Sequence, residues 1–132
     1  MENFQLKDNG VDIYIGGQSF TVFPSRKLIA AISVFTLAVN ALNKNHTIKN
    51  SVAEADAAAE VIVSALGEAK AQEIFEIGTP NEDMLNLVSA AEYISNIVSA
   101  HISDIRNGLK ETPAPNIEMT SEKVPYVKRN KR

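Results

Sequence analysis

Two histidines, His46 and His101, and a run of carboxylates, Glu54, Asp56 and Glu60, are the side chains from which a catalytic or metal site would first be built. Asp104 follows His101 by three residues. On a helix the two share a surface, as a general base and its orienting carboxylate would. No nucleophile or oxyanion motif accompanies them, and two groups do not make a metal site. A surface ion pair is therefore the expectation for this pair. Glu54 and Asp56 stand two apart and face different ways on a helix, which describes a solvated face. Gly16-Gly17 is part of neither a GxGxxG nor a GxxxxGKS/T phosphate loop and reads as a turn. The chain has no cysteine, which excludes disulfides, thiolate ligands and thiol nucleophiles. The expectation is a protein that is not an enzyme, with no catalytic, cofactor-binding or metal-binding residues.

The other chemistry on offer is ionic. The ending VPYVKRNKR places Lys128, Arg129, Lys131 and Arg132 beside a single aromatic, Tyr126. Such a segment can contact phosphates, but one tyrosine is a thin stacking platform, and a solubilising terminus is the simpler reading. From Leu109 onward six cations face three carboxylates, a surplus of three positive charges. The whole chain carries −3, so the remainder stands at −6. The overall charge excludes a globally basic nucleic-acid binder but not a local basic patch, and an acidic body with a basic tail is a marked asymmetry.

At 132 residues the chain holds one domain, and its 45% hydrophobic content suits a globular core. The opening MENFQLKDNG lacks the basic-then-apolar layout of a secretion signal. The longest apolar run, Leu28 to Leu42, is shorter than the roughly 20 residues of a membrane span. It also contains Ser33, Thr36 and Asn40, so a buried core helix is expected and no membrane partner.

The stretch VDIYIGGQSFTV, residues 11–22, reads as a β-hairpin around Gly16-Gly17, since glycine adopts the positive φ of a two-residue turn. That register opposes Ile15 to Gln18, Ile13 to Phe20 and Val11 to Val22. Val11, Ile13, Phe20 and Val22 then share an apolar face; Asp12, Tyr14, Ser19 and Thr21 share a polar one. Two strands are marginal alone, so the apolar face must lie on a helix or on another chain.

Four helices are expected after the hairpin. The first runs from about Arg26 to Asn43 behind Ser25 as N-cap, with Ile29, Ile32, Phe35, Val39 and Leu42 as its stripe and Leu28 and Leu37 widening it. A polar turn, residues 43–50, precedes a second helix starting at the capping box Ser51-x-x-Glu54 and running to Leu66. Its stripe is Val52, Ala55, Ala59, Ile62 and Leu66, and Gly67 breaks it. A short helix spans Glu68 to Ile77, ended by Gly78. The fourth starts at Thr79-Pro80-Asn81-Glu82, with Thr79 as N-cap and Glu82 closing a capping box, and ends at Gly108. Met84, Leu87, Ala91, Ile94, Val98, Ile102 and Ile105 form a near-heptad seam along it. This gives a mainly α fold: a small helical domain, 1–108, with an N-terminal hairpin, and a disordered basic tail, 109–132. The seam is long for so small a core. It points to partner helices or self-association through Leu87, Ile94, Val98 and Ile102, with Ile13, Phe20 and Val22 docking the hairpin.

The order of these elements resembles a known family. The hairpin pattern I-x-I-G-G-x-x-F-x-V is followed by an apolar helix and a second helix. Then come SALGEAKAQEIFEI and NEDMLNLVSAAEYISNIV. The arrangement is similar to the tail assembly chaperones of long-tailed bacteriophages and prophages, over roughly residues 10 to 105. The matching junction is Ala65-Leu66-Gly67-Glu68-Ala69, followed by Asp83-Met84-Leu85-Asn86-Leu87-Val88. The resemblance implies a protein of the bacterial host cytoplasm that is absent from the finished virion. It would bind the tape-measure protein transiently, keep its long helix from aggregating and help recruit tail-tube subunits. It also implies a longer form made by ribosomal frameshifting near the basic tail. The competing readings are a small regulatory or nucleic-acid-binding accessory protein acting through that tail, and a peripheral membrane protein using Leu28–Leu42.

Overall fold

The computed structural model describes residues 3–111. The fold is mainly α: a two-stranded hairpin followed by four helices. Two compact units divide the chain, residues 1–101 and the segment from Ile102 onward. The second unit contributes, among the described residues, the last turns of the long fourth helix.

Strands β1 (Val11–Ile15) and β2 (Gln18–Val22) pair antiparallel in the expected register, Val11 opposite Val22 and Ile15 opposite Gln18. Gly16 and Gly17 sit at φ 60° and 79°. Two successive positive φ angles match the turn's twist to that of the strands. Ile13 and Val22 are buried, Val11 and Phe20 half-buried, and Asp12, Tyr14, Ser19 and Thr21 exposed. The polar face carries its own cross-strand link, Thr21 Oγ1 donating to Asp12 Oδ1 at 2.8 Å. The apolar face is covered by this chain's own helices. The second helix packs on β2, and the Tyr14 amide donates to Tyr93 Oη of the fourth helix at 3.0 Å.

Helix α1 (Arg26–Lys44) starts where Ser25 Oγ accepts from the Leu28 amide at 3.1 Å. Its core face is Leu28, Ala31, Ile32 and Phe35, continued by half-buried Ala38, Val39 and Leu42. Ile32, Phe35, Val39 and Leu42 of the expected stripe lie on this face, together with Leu28. Ile29 sits at its margin and Leu37, 67% exposed, faces away from the core. An apolar residue on a helix does not reveal its direction when the helix is apolar nearly all round. By length and composition α1 could cross a membrane, yet four of its side chains fill the core.

The loop after α1 is shorter than the sequence suggests. Helix α2 (Ile48–Leu66) begins ahead of the Ser51 capping box, with Thr47 as N-cap accepting from the Asn50 amide at 3.0 Å. Asn50 explains the early start. Its side-chain amide donates to the carbonyls of Asn45, at 2.8 Å, and Ala41, at 3.4 Å, satisfying the end of α1 from the first turn of α2. The two helices thereby form a tight hairpin, and their faces pack along each other. Alanines make that approach possible: Ala55, Ala57 and Ala58 are buried with Val61 and Ile62. Val52, expected in the stripe, is exposed.

Gly67, at φ 88°, ends α2 and opens α3 (Glu68–Phe75), which buries Ala71. The helix stops short of Ile77 because Glu76 turns left-handed at φ 51° and ψ 42°. Gly78 belongs to the turn beyond. The expected capping box is displaced in the same way. Residues 79–82 form a turn closed by Glu82 N–H to Thr79 O at 3.1 Å, and Glu82 Oε1 accepts from the Gly78 amide at 2.6 Å. Helix α4 (Met84–Glu111) is capped instead by Asp83, whose Oδ1 accepts from Leu85 N at 2.9 Å and Asn86 N at 3.3 Å. A carboxylate there also suits the positive end of the helix dipole. Replacing Asp83 by alanine is expected to cost about 0.5–2 kcal/mol, read as a lower urea midpoint with an unchanged m-value. At its other end α4 passes through Gly108 instead of stopping there. The core-facing seam of α4 is Leu87, Ala91, Ile94 and Val98, all buried.

Candidate functional site

Concave surfaces lie within the first unit, among them a cleft beside the hairpin and an apolar groove at the start of α2. The larger, about 560 Å³, is lined on one side by Tyr14, Ile15 and Gly16 of the hairpin. Phe75 and Glu76 from the end of α3, and Asn86 and Tyr93 of α4, complete its walls. The turn between α3 and α4 holds this cleft in shape. Thr79 Oγ1 donates to the Glu76 carbonyl at 2.8 Å, and Asn81 Nδ2 donates to Glu76 Oε1 at 3.2 Å. Asp83, also on the wall, has one oxygen committed to capping α4. The polar groups lining the cleft are the hydroxyls of Tyr14, Ser89 and Tyr93, the amides of Asn81 and Asn86, and the carboxylates of Glu76 and Asp83. Tyr93 is its keystone, because its hydroxyl oxygen receives the Tyr14 amide. Tyr93→Phe should leave that amide without this acceptor at a cost of about 1 kcal/mol. Faster hydrogen exchange at Tyr14 would report it, the rest of the hairpin remaining protected.

The smaller groove, about 370 Å³, is more apolar: Ile48 and Val52 of α2 and Met84 at the start of α4, with His46, Thr47 and Ser51. Ile48 is 85% exposed, and Leu85, next to Met84, is 72% exposed. The core is closed without any of them. Its buried residues are all apolar among the described residues, and it draws on the hairpin and all four helices.

The partner-binding residues expected from sequence divide sharply. Ile13, Val22, Leu87, Ile94 and Val98 are all inside the core, the last two at 0% exposure. They are unavailable to a partner in the folded protein because the chain's own elements cover them. Phe20 and Ile102 are half-buried. Lys128, Arg129, Lys131 and Arg132 lie outside the described residues. His101 does not show the expected ion pair as its contact; its Nε2 lies 2.8 Å from the carbonyl oxygen of Asn9, holding the segment before β1 to α4. His46 is exposed on the rim of the apolar groove, and Asp56 and Glu60 are exposed on α2. Among the described residues no group of three or more histidines and carboxylates stands close enough to hold a metal.

No protein-family model, curated protein or solved structure matches this chain.

The surface that sequence reasoning missed is made of apolar residues standing outside the core: Val34, Leu37, Ile48, Val52, Met84 and Leu85 on the helices, with Phe4, Leu6 and Phe23 around the hairpin. Their signal was a surplus. Helices α1, α2 and α4 carry more apolar residues than one stripe needs, and spacing alone does not say which ones are left over.

Proposed function

We propose that this protein is a tail assembly chaperone of a long-tailed phage or prophage. It acts in the bacterial cytoplasm, binds the tape-measure protein transiently and helps recruit tail-tube subunits, and it leaves before the virion is finished. The reading starts from the resemblance in residues 10 to 105. The structural observation that supports it is the uncovered apolar surface on α1, α2 and the start of α4. A holding protein for a long helical client needs apolar area that its own core does not consume. Large exposed aliphatic side chains otherwise carry a solubility cost.

Co-expression with the tape-measure and tail-tube proteins encoded beside it is the direct test. The expected result is a tape-measure protein that is soluble only in the presence of this chain and is captured with it. A tape-measure protein equally soluble without it, and never captured, would end the proposal. The gene offers an independent check: a slippery heptamer near the codons for Lys128 to Arg132, with a second reading frame beyond.

A further inference from the structure

Helix α1 carries a second stripe, opposite its core face. Lys27, Ala30, Val34, Leu37, Ala41 and Lys44 follow one another at spacings of three, four, three, four and three. All six are exposed, Val34 at 56% and Leu37 at 67%. That alternation keeps the six on one line of the helix, as the a and d positions of a coiled coil do. The line is about 26 Å long at 1.5 Å per residue. Ser33 and Asn40 run beside it, and α1 contains no acidic residue.

We infer that this stripe binds one α-helix of a partner, a helix that carries an apolar 3-4-3 stripe with acidic residues flanking it at both ends. Three features carry the inference. The first is spacing, since a heptad line of uncharged residues is complementary to another helix. The second is size. Alanines at 30 and 41 let two backbones approach closely near the ends, while Val34 and Leu37 supply the central contact. The third is charge. A lysine closes each end of the line, in a protein whose remainder is acidic, so the matching helix places carboxylates there. The same lysines disfavour a second copy on this face. In an antiparallel pair Lys27 would meet the other Lys44, and in a parallel pair each lysine would meet its counterpart. A membrane surface fits less well, because a lipid-inserted face favours bulky aromatic and aliphatic residues and this one has two small residues in four.

The inference rests on the reading of this chain as a binder of helical clients and specifies the client's chemistry. Its test uses two synthetic alanine-rich helical peptides. Both carry four leucines at 3-4-3 spacing; one is flanked by glutamates and the other by lysines. Binding to the full chain is followed by fluorescence anisotropy at low salt. The glutamate-flanked peptide is expected to bind more tightly, Leu37→Asp to abolish binding with an unchanged circular dichroism spectrum, and Lys27→Glu with Lys44→Glu to reverse the preference. That reversal should be on the order of tenfold and should fade as salt is raised.

Equal binding of the two peptides, or full binding by Leu37→Asp, overturns the inference. So does a dimer that Leu37→Asp dissociates, which would make a second copy the occupant. Leu37-dependent flotation with phosphatidylglycerol vesicles in place of peptide binding does the same. The two readings fail separately. Peptide binding without capture of the tape-measure protein sinks the chaperone reading alone. Capture that survives Leu37→Asp and the charge reversal sinks this one alone.

Discussion

Replacing Ile94 by alanine is expected to destabilise the protein by about 2–5 kcal/mol, because it removes a fully buried branched side chain and leaves a cavity. The cost sits at the upper end of that range where the surroundings cannot close on the cavity. Ile94 lies in the middle of the seam Leu87, Ala91, Ile94, Val98, all essentially inaccessible. On a domain of this size such a loss lowers the melting temperature by roughly ten degrees or more. Leu85→Ser, on the same helix, is the control. Leu85 is 72% exposed, so its replacement should change stability by no more than about 0.5 kcal/mol. Calorimetry on the two variants separates the core side of α4 from its outer side. Equal melting temperatures would mean that the seam is not where the fold is held. The same pair separates folding from binding: under the proposed function Leu85→Ser weakens client capture by a protein of full stability.

Ala58→Leu is the second large effect, and it runs in the opposite steric direction. Ala58 is fully buried on α2, with Ala55 and Ala57 buried nearby. Three buried alanines on one helix let its neighbours sit close, and α1 and α2 pack along each other as a helical hairpin. Three extra heavy atoms have no space there. The expected cost is about 1–3 kcal/mol, with distortion of neighbouring rotamers. It should appear as a lower denaturant midpoint and as chemical-shift changes spreading through both helices. The larger, more apolar residue stabilises only if a void lies beside Ala58. A raised melting temperature would show that the α1–α2 contact is looser than the burial of its alanines implies.

How far the fold could be read from sequence differs from element to element. The hairpin was legible in full, down to its register. Gly16-Gly17 allows the turn, and the alternation Val11, Ile13, Phe20, Val22 fixes which face is apolar. A slip of one residue would invert every side chain. The start of α1 was legible because Ser25 precedes an uninterrupted helical run. The starts of α2 and α4 were misplaced, for a shared reason. Each region offers two competing caps, Thr47 or Ser51 and Thr79 or Asp83. The choice depends on bonds to other parts of the chain. Asn50 reaches back to α1, which draws the helix start to Thr47. Glu82 is committed to Gly78, and the left-handed Glu76 is tied to Asn81, so the turn at 79–82 is occupied before α4 can begin. Gly108 was read as a stop from its type alone, but a glycine inside a long helix costs only about 1 kcal/mol, and α4 continues past it.

The candidate surface was less legible than the fold. The length of α4 suggests more apolar residues than a small core covers, yet Leu87, Ile94 and Val98, its most regular stripe, are the ones the chain buries. The residues left outside carry no distinguishing pattern of their own at α2 and α4. On α1 the outward line from Lys27 to Lys44 was present in the sequence, hidden by the core stripe that shares the helix.

By itself, then, the amino-acid sequence determined the hairpin and its register, the number and order of the helices, and the amount of apolar surface to be placed. These follow from local steric preferences and from periodicity, which act over a few residues. Tertiary structure alone decided which apolar residues remain outside, where α2 and α4 begin, and that the seam of α4 is core. Those depend on which faces meet across the fold. Burial rewards any apolar side chain to a similar degree, so only the geometry of packing can choose among Leu37, Ile48, Leu85 and Ile94.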